Sequence, residues 1–167
     1  MICAAHYLGQ AAVLGLLGAF IGYFAAGPAY APVPPDRALI KLSFSHTGAP
    51  KGECRKLMPE ELAKLPRNMR KADQCPRERV PLHVELALDD RLLFRGVLPP
   101  TGLSGDGPAQ LYEKFFIEPG VHRIDVRLRD SARADGFDHE HVEEVSLQAR
   151  QVLVIDFRPE SGGFIWR

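Results

Sequence analysis

Cys54 and Cys75 stand near the two ends of a polar stretch, SHTGAPKGECRKLMPEELAKLPRNMRKADQCPRERV, with His46 at its start. Two cysteines that bracket a polar excursion can close it as a disulfide. In the chain-entropy description, closing a loop of about twenty residues stabilises a fold by roughly 3 kcal/mol. The same residues offer a second chemistry. Cys54, Cys75 and His46, with Met58 or Met69 nearby, make up a set of thiolates, imidazole and thioether that suits copper(I). No C-x-x-C or H-x-x-x-M spacing accompanies it, and reactive thiol pairs usually adopt C-x-x-C geometry. The disulfide is therefore the simpler expectation, and metal or redox handling is the alternative.

His139 and His141 flank Glu140. On a strand, alternate residues share a face, which brings the two imidazoles within chelating reach, with Asp138 close by. A solvated strand edge is the plainer reading of such a pair. His83 and His122 fall at outward or turn positions and are expected to be solvated.

Catalytic patterns are missing. The chain has no G-x-S-x-G elbow, no phosphate-binding glycine loop and no H-E-x-x-H. The glycine-rich SGDGP at 104–108 lacks the lysine and the following helix that a phosphate cradle needs. It reads as a loop between strands, ordered by Asp106 bonding to neighbouring amides. Asp89 with Asp90, and Glu143 with Glu144, are adjacent in sequence, so on a strand they point to opposite faces and make poor acid–base partners. The expectation is a protein that is not an enzyme, with no cofactor and no small-molecule substrate.

The insertion at 46–79 is the basic part of an otherwise neutral chain. Acidic and basic residues number 21 each overall, yet from 51 to 79 nine basic residues face five acidic ones. Arg55, Lys56, Arg67, Arg70 and Lys71 are the candidate docking residues for an acidic partner surface or for lipid headgroups. Residues 46–79 contain no aromatic side chain on which bases could stack, which argues against nucleic acid.

What must position this excursion begins at the N-terminus. The first charged side chain is Asp36, and the stretch YLGQAAVLGLLGAFIGYFAA at 7–26 is about as long as a helix that crosses a bilayer. It has no polar face. A cleaved signal would use Ala29-Tyr30-Ala31 as its small residues. Three features oppose cleavage: no basic residue precedes the run, the run is long, and Pro32 would follow the cut. Cys3 has only two residues before it, too few for a lipoprotein signal. An uncleaved single-pass anchor at 1–27 is the expectation. Gly15, Gly18 and Gly22 share a helix stripe with Ala11 and Ala26, and Gly18 and Gly22 form a G-x-x-x-G pair suited to close helix packing. The stripe fits an integral membrane partner or self-association. Arg37 and Lys41, the basic residues nearest the span, would favour a cytoplasmic domain. Long domains translocate largely regardless of such charges, and a disulfide favours an oxidising compartment. The domain is expected outside, in the periplasm of a bacterial inner membrane.

A proline-rich spacer at 28–38 follows the anchor, and the rest reads as strands. Strands are expected at 39–45, 82–88, 92–98, 112–118, 122–129, 142–149 and 152–157, with strict alternation over 82–88 and a short edge strand at 163–167. Asp89-Asp90 predicts a hairpin turn. Pro119-Gly120 predicts another, and 142–149 is expected to pair with 152–157. The run Val152-Leu153-Val154-Ile155 is apolar on both faces, as a central strand is. One helix is expected, PEELAKL at 59–65, stopped by Pro66. The fold class is therefore mainly β: a transmembrane helix, then an antiparallel sandwich of seven to eight strands over 39–167.

The wording FIEPGVHRIDVRL, a strand ending in Pro-Gly and then His-x-Ile-x-Val, resembles PEGA-type and transthyretin-like modules of membrane-anchored bacterial accessory proteins. The likeness covers about 82–157 and leaves the 46–79 insertion outside. It implies a non-enzymatic β-sandwich and brings no catalytic residue. Together these readings lead to a membrane-anchored protein-binding module, an accessory subunit or assembly factor of a larger, for example respiratory, complex.

Overall fold

The computed structural model describes residues 2–27 and 32–167, with side chains from residue 6 onward and residue 69 excepted. The proposed cleavage residues 29–31 and the side chains of Cys3 and Met69 lie outside that description. Two compact units result, Met1–Pro32 and Val33–Arg167.

The first unit is helix α1 (Ile2–Ala25). Its stretch His6–Ala25 is long and apolar enough to cross a membrane. The side chains of His6 and Gln10, one turn apart, meet at 3.2 Å and so satisfy each other on an otherwise apolar surface. Every described side chain on this helix is exposed. A Cβ placed on Gly15, Gly18 or Gly22 would meet nothing within 4 Å. The stripe is open.

The second unit contains β1 (Ala38–His46), β2 (Arg55–Lys56), helix α2 (Pro59–Lys64), β3 (Asp73–Gln74), β4 (Leu82–Leu88), β5 (Arg91–Leu98), β6 (Ala109–Ile117), β7 (Gly120–Arg129), β8 (His139–Leu147), β9 (Val152–Arg158) and β10 (Gly163–Trp166). Eight of these strands form two four-stranded sheets, in the orders β10-β9-β1-β6 and β5-β4-β7-β8. Alternation decides which side chains lie between the sheets. In β4, Leu82, Val84, Leu86 and Leu88 are buried while His83, Glu85 and Ala87 are only half-buried. Ile40 and Leu42 from β1, Ile124, Val126 and Leu128 from β7, and Leu153 and Ile155 from β9 complete the centre of the core. No polar or charged residue is buried there.

Three expectations about strand pairing are corrected. Pro119-Gly120 does not turn a hairpin: β6 pairs with β1, whereas β7 pairs with β4 and β8, so the turn carries the chain from one sheet to the other. The link after β8 makes the same kind of crossing, because β9 pairs with β1 and β10 rather than with β8. The β1–β9 pairing is parallel, which makes that sheet mixed rather than purely antiparallel.

The hairpin at Asp89-Asp90 forms as expected. Both residues have positive φ, +50° and +63°, the backbone of a tight two-residue turn whose twist matches its strands. Within the stretch expected as spacer, Val33 is already buried, 5% exposed, and Arg37 accepts a hydrogen bond from the Arg150 amide. The domain therefore begins at Val33, inside the proline-rich segment.

The excursion leaves the sandwich after β1 and returns before β4. Its stem is pinned by Lys51 N–H to Glu78 O at 2.8 Å and Val80 N–H to Ala49 O at 2.9 Å. A Cβ at Gly48 would come within 2.3 Å of the Val80 carbonyl oxygen, so the close approach of the two stem strands requires glycine there.

Candidate functional site

Beyond the stem, the excursion is built from short pieces that could not hold themselves. The strands β2 and β3 pair over two residues each. Helix α2 starts at Pro59, receives a cap from the Glu61 carboxylate, which accepts the Met58 N–H at 3.1 Å, and ends before Pro66. Cys54 and Cys75 are joined, with Cα atoms 4.2 Å apart, closing a 21-residue separation directly beside the β2–β3 pair. The expected disulfide is present. Both sulfurs are used in it, so neither is a thiolate in this form.

The five predicted docking residues divide into two groups. Arg55 pairs with Glu61 at 3.3 Å. Arg70 turns its guanidinium back onto the carbonyls of Leu65 and Ala63. Lys56, Arg67 and Lys71 make no ion pair among the described residues. Lys64, Arg77 and Arg79 share that property, and charge counting alone did not separate them from the paired cations. A groove of about 560 Å³ brings Lys71, Arg77 and Arg79 together over Leu57 and Leu65, with Asp73 as its acidic member. The Arg79 Nε is buried without a hydrogen-bond partner.

The histidines are arranged differently from the sequence expectations. His46 does not turn toward the cysteines. Its Nε2 lies 2.7 Å from Asp130 Oδ2, and His139 Nε2 lies 3.5 Å from the same oxygen. Both rings also meet Phe157 edge-on, at 4.7 and 4.9 Å between centroids. One carboxylate oxygen thus links β1 of one sheet to β7 and β8 of the other. Asp130 itself is set by Asp138, whose Oδ2 accepts the amides of Asp130 and Ser131 at 3.0 and 3.1 Å. Burial pushes the Asp138 carboxyl up, but hydrogen bonds from Ser131 and Asp130 and the Arg133 guanidinium outweigh it and hold it below the ordinary value.

His141 does not chelate with His139. It lies 3.1 Å from Glu143, and its ring meets Trp166 of the other sheet at a tilt of 52°, with centroids 5.3 Å apart. Among the described residues, no group of three or more His, Cys, Asp or Glu is arranged to hold a metal ion.

His122 is not solvated as expected. Its Nδ1 lies 2.7 Å from Asp89 Oδ2 and its Nε2 lies 2.9 Å from the Glu118 carbonyl oxygen. Two acceptors on one ring favour the imidazolium. The bond to Asp89 raises the His122 pKa and lowers that of Asp89. His83 points outward as expected, but burial, helped by Arg129, lowers its pKa. Asp89 and Asp90 sit in the expected turn, and both reach Arg123. One accepts its amide and the other its guanidinium. The 99–108 loop is ordered by Thr101 rather than Asp106. The Thr101 carbonyl accepts the Gly107 amide, and its hydroxyl donates to the Pro108 carbonyl.

The outer face of the second sheet carries a row of alternating charge, Arg95, Glu85, Arg127 and Glu140, in cross-strand register. Arg95 pairs with Glu85 at 2.6 Å, and Arg127 pairs with Asp125. That face neutralises itself, and the excursion does not. The unpaired cations of the excursion are therefore the candidate contact surface of the domain. Comparison with protein-family models, with curated proteins and with solved structures finds no match.

Proposed function

We propose that this chain is a single-pass, membrane-anchored, non-catalytic binding module, an accessory subunit or assembly factor of a larger bacterial inner-membrane complex. Its domain lies on the periplasmic side. The observation that carries the reading is helix α1, whose described side chains are all exposed and whose surface offers no polar face to water. Such a helix needs lipid or another helix around it. The open stripe at Gly15, Gly18 and Gly22 supports a helix–helix contact within the membrane. The Cys54–Cys75 bond is compatible with an oxidising compartment and withdraws the thiolates that copper(I) or thiol exchange would require. The basic excursion then docks on an acidic surface.

The test is capture of partners by the full chain in mild detergent, beside a Gly18→Ile, Gly22→Ile variant. The variant is expected to lose membrane-protein partners that the parent retains. Identical partner sets would reduce the helix to an anchor.

A further inference from the structure

We propose that the acidic surface met by the excursion is the bilayer itself: residues 51–79, with the neighbouring loop 99–108, form a second membrane contact that lies on anionic phospholipid headgroups. This rests on the reading of α1 as an inserted anchor.

Two of the nine cations at 51–79 are ion-paired among the described residues, Lys51 with Glu78 and Arg55 with Glu61. The others are spread over β2, the end of α2, the turn at Arg67–Met69 and the segments before and after β3. A protein interface concentrates its energy in buried aromatic and arginine anchors. The excursion supplies five arginines but no aromatic residue. A headgroup layer asks only for positive charge near a plane of negative charge.

Two exposed apolar side chains complete the match. Met58 is 67% exposed and Leu103, in loop 99–108, is fully exposed. That loop is tied to the excursion's stem by the Arg79 amide, which donates to the Gly105 carbonyl at 2.9 Å. Cations beside exposed apolar side chains are what an interfacial membrane surface presents. The groove lined by Lys71, Arg77 and Arg79 gathers three of these cations at one place on the surface. The link at 26–32 spans at most about 25 Å, so an inserted helix keeps the domain concentrated at the bilayer.

The test uses the full chain in nanodiscs of phosphatidylcholine alone, or with one part in three phosphatidylglycerol, followed by hydrogen exchange. Amides at 51–79 and 99–108 are expected to exchange at least about threefold more slowly in the anionic discs. Salt at about 0.5 M should abolish the difference by screening, as should Lys71→Gln with Arg77→Gln. Leu103→Asp should weaken it. Equal exchange in both lipids would overturn the headgroup contact and leave the cations to an acidic protein surface. Failure of the chain to enter nanodiscs at all would instead overturn the anchor.

Discussion

The sandwich and the excursion it carries are held together by different forces. Between the sheets, Ile40, Leu42, Leu82, Val84, Leu86, Ile124, Val126, Leu128 and Ile155 are fully buried, and the hydrophobic effect stabilises the fold. From 51 to 79, by contrast, no described residue is buried, and the backbone is kept in place by a disulfide, a two-residue strand pair and the stem hydrogen bonds. A segment with so little apolar burial keeps its shape through covalent closure, which leaves its side chains free for contact. The charges follow the same division. On the sandwich they pair across strands, as Arg95 does with Glu85, whereas most cations of the excursion remain open.

The comparison is broken most forcefully from the core. Leu42→Ala or Leu86→Ala removes a fully buried side chain and should cost about 3 kcal/mol. Chemical denaturation should show an earlier transition of the sandwich.

A smaller global effect is expected from Cys54→Ser with Cys75→Ser. The excursion should open and become a site of rapid proteolysis between 51 and 79. The sandwich midpoint should move by less than the roughly 3 kcal/mol that loop closure would supply to a fully coupled loop. A large fall in the midpoint would mean that the two regions form one cooperative unit.

The smallest effect concerns the His122–Asp89 pair. His122 has its pKa raised above 6.5, so its contribution is complete below that value and is lost as pH rises through the folded-state pKa. Asp89 has its pKa lowered from 3.8, so its contribution is present above 3.8 and is lost as pH falls through the folded-state pKa. The pair should therefore stabilise most between about pH 4 and 6.5. Denaturation midpoints near about pH 5.5, inside that window, and near about pH 9, above it, should differ more in the parent than in Asp89→Asn. Equal differences would remove the pair from the account.

Strand positions were legible because period two is written into stretches such as Leu82–Leu88, and the end of α2 because Pro66 cannot continue a helix. Alternation names the buried face of a strand but not its neighbour. The crossings from β6 to β7 and from β8 to β9, and the parallel β1–β9 pair, therefore had no local signal. The cysteine pair was legible from its bracketing of a polar segment. The link among His46, Asp130 and His139 was not. His46 and Asp130 are 84 residues apart, and only the stacking of the two sheets brings them together. Which cations stay unpaired was equally hidden. Arg55 finds Glu61 and Arg70 finds carbonyls through the local fold of the excursion, which charge counting does not describe.

The central claim is that α1 remains attached and holds the domain at a membrane. Its most direct test is the intact mass of the protein recovered from cell membranes after alkaline washing. The account predicts a chain that stays in the membrane pellet with residues 1–31 still present. A protein released into the wash, or one whose mass shows that those residues have been removed, would contradict it.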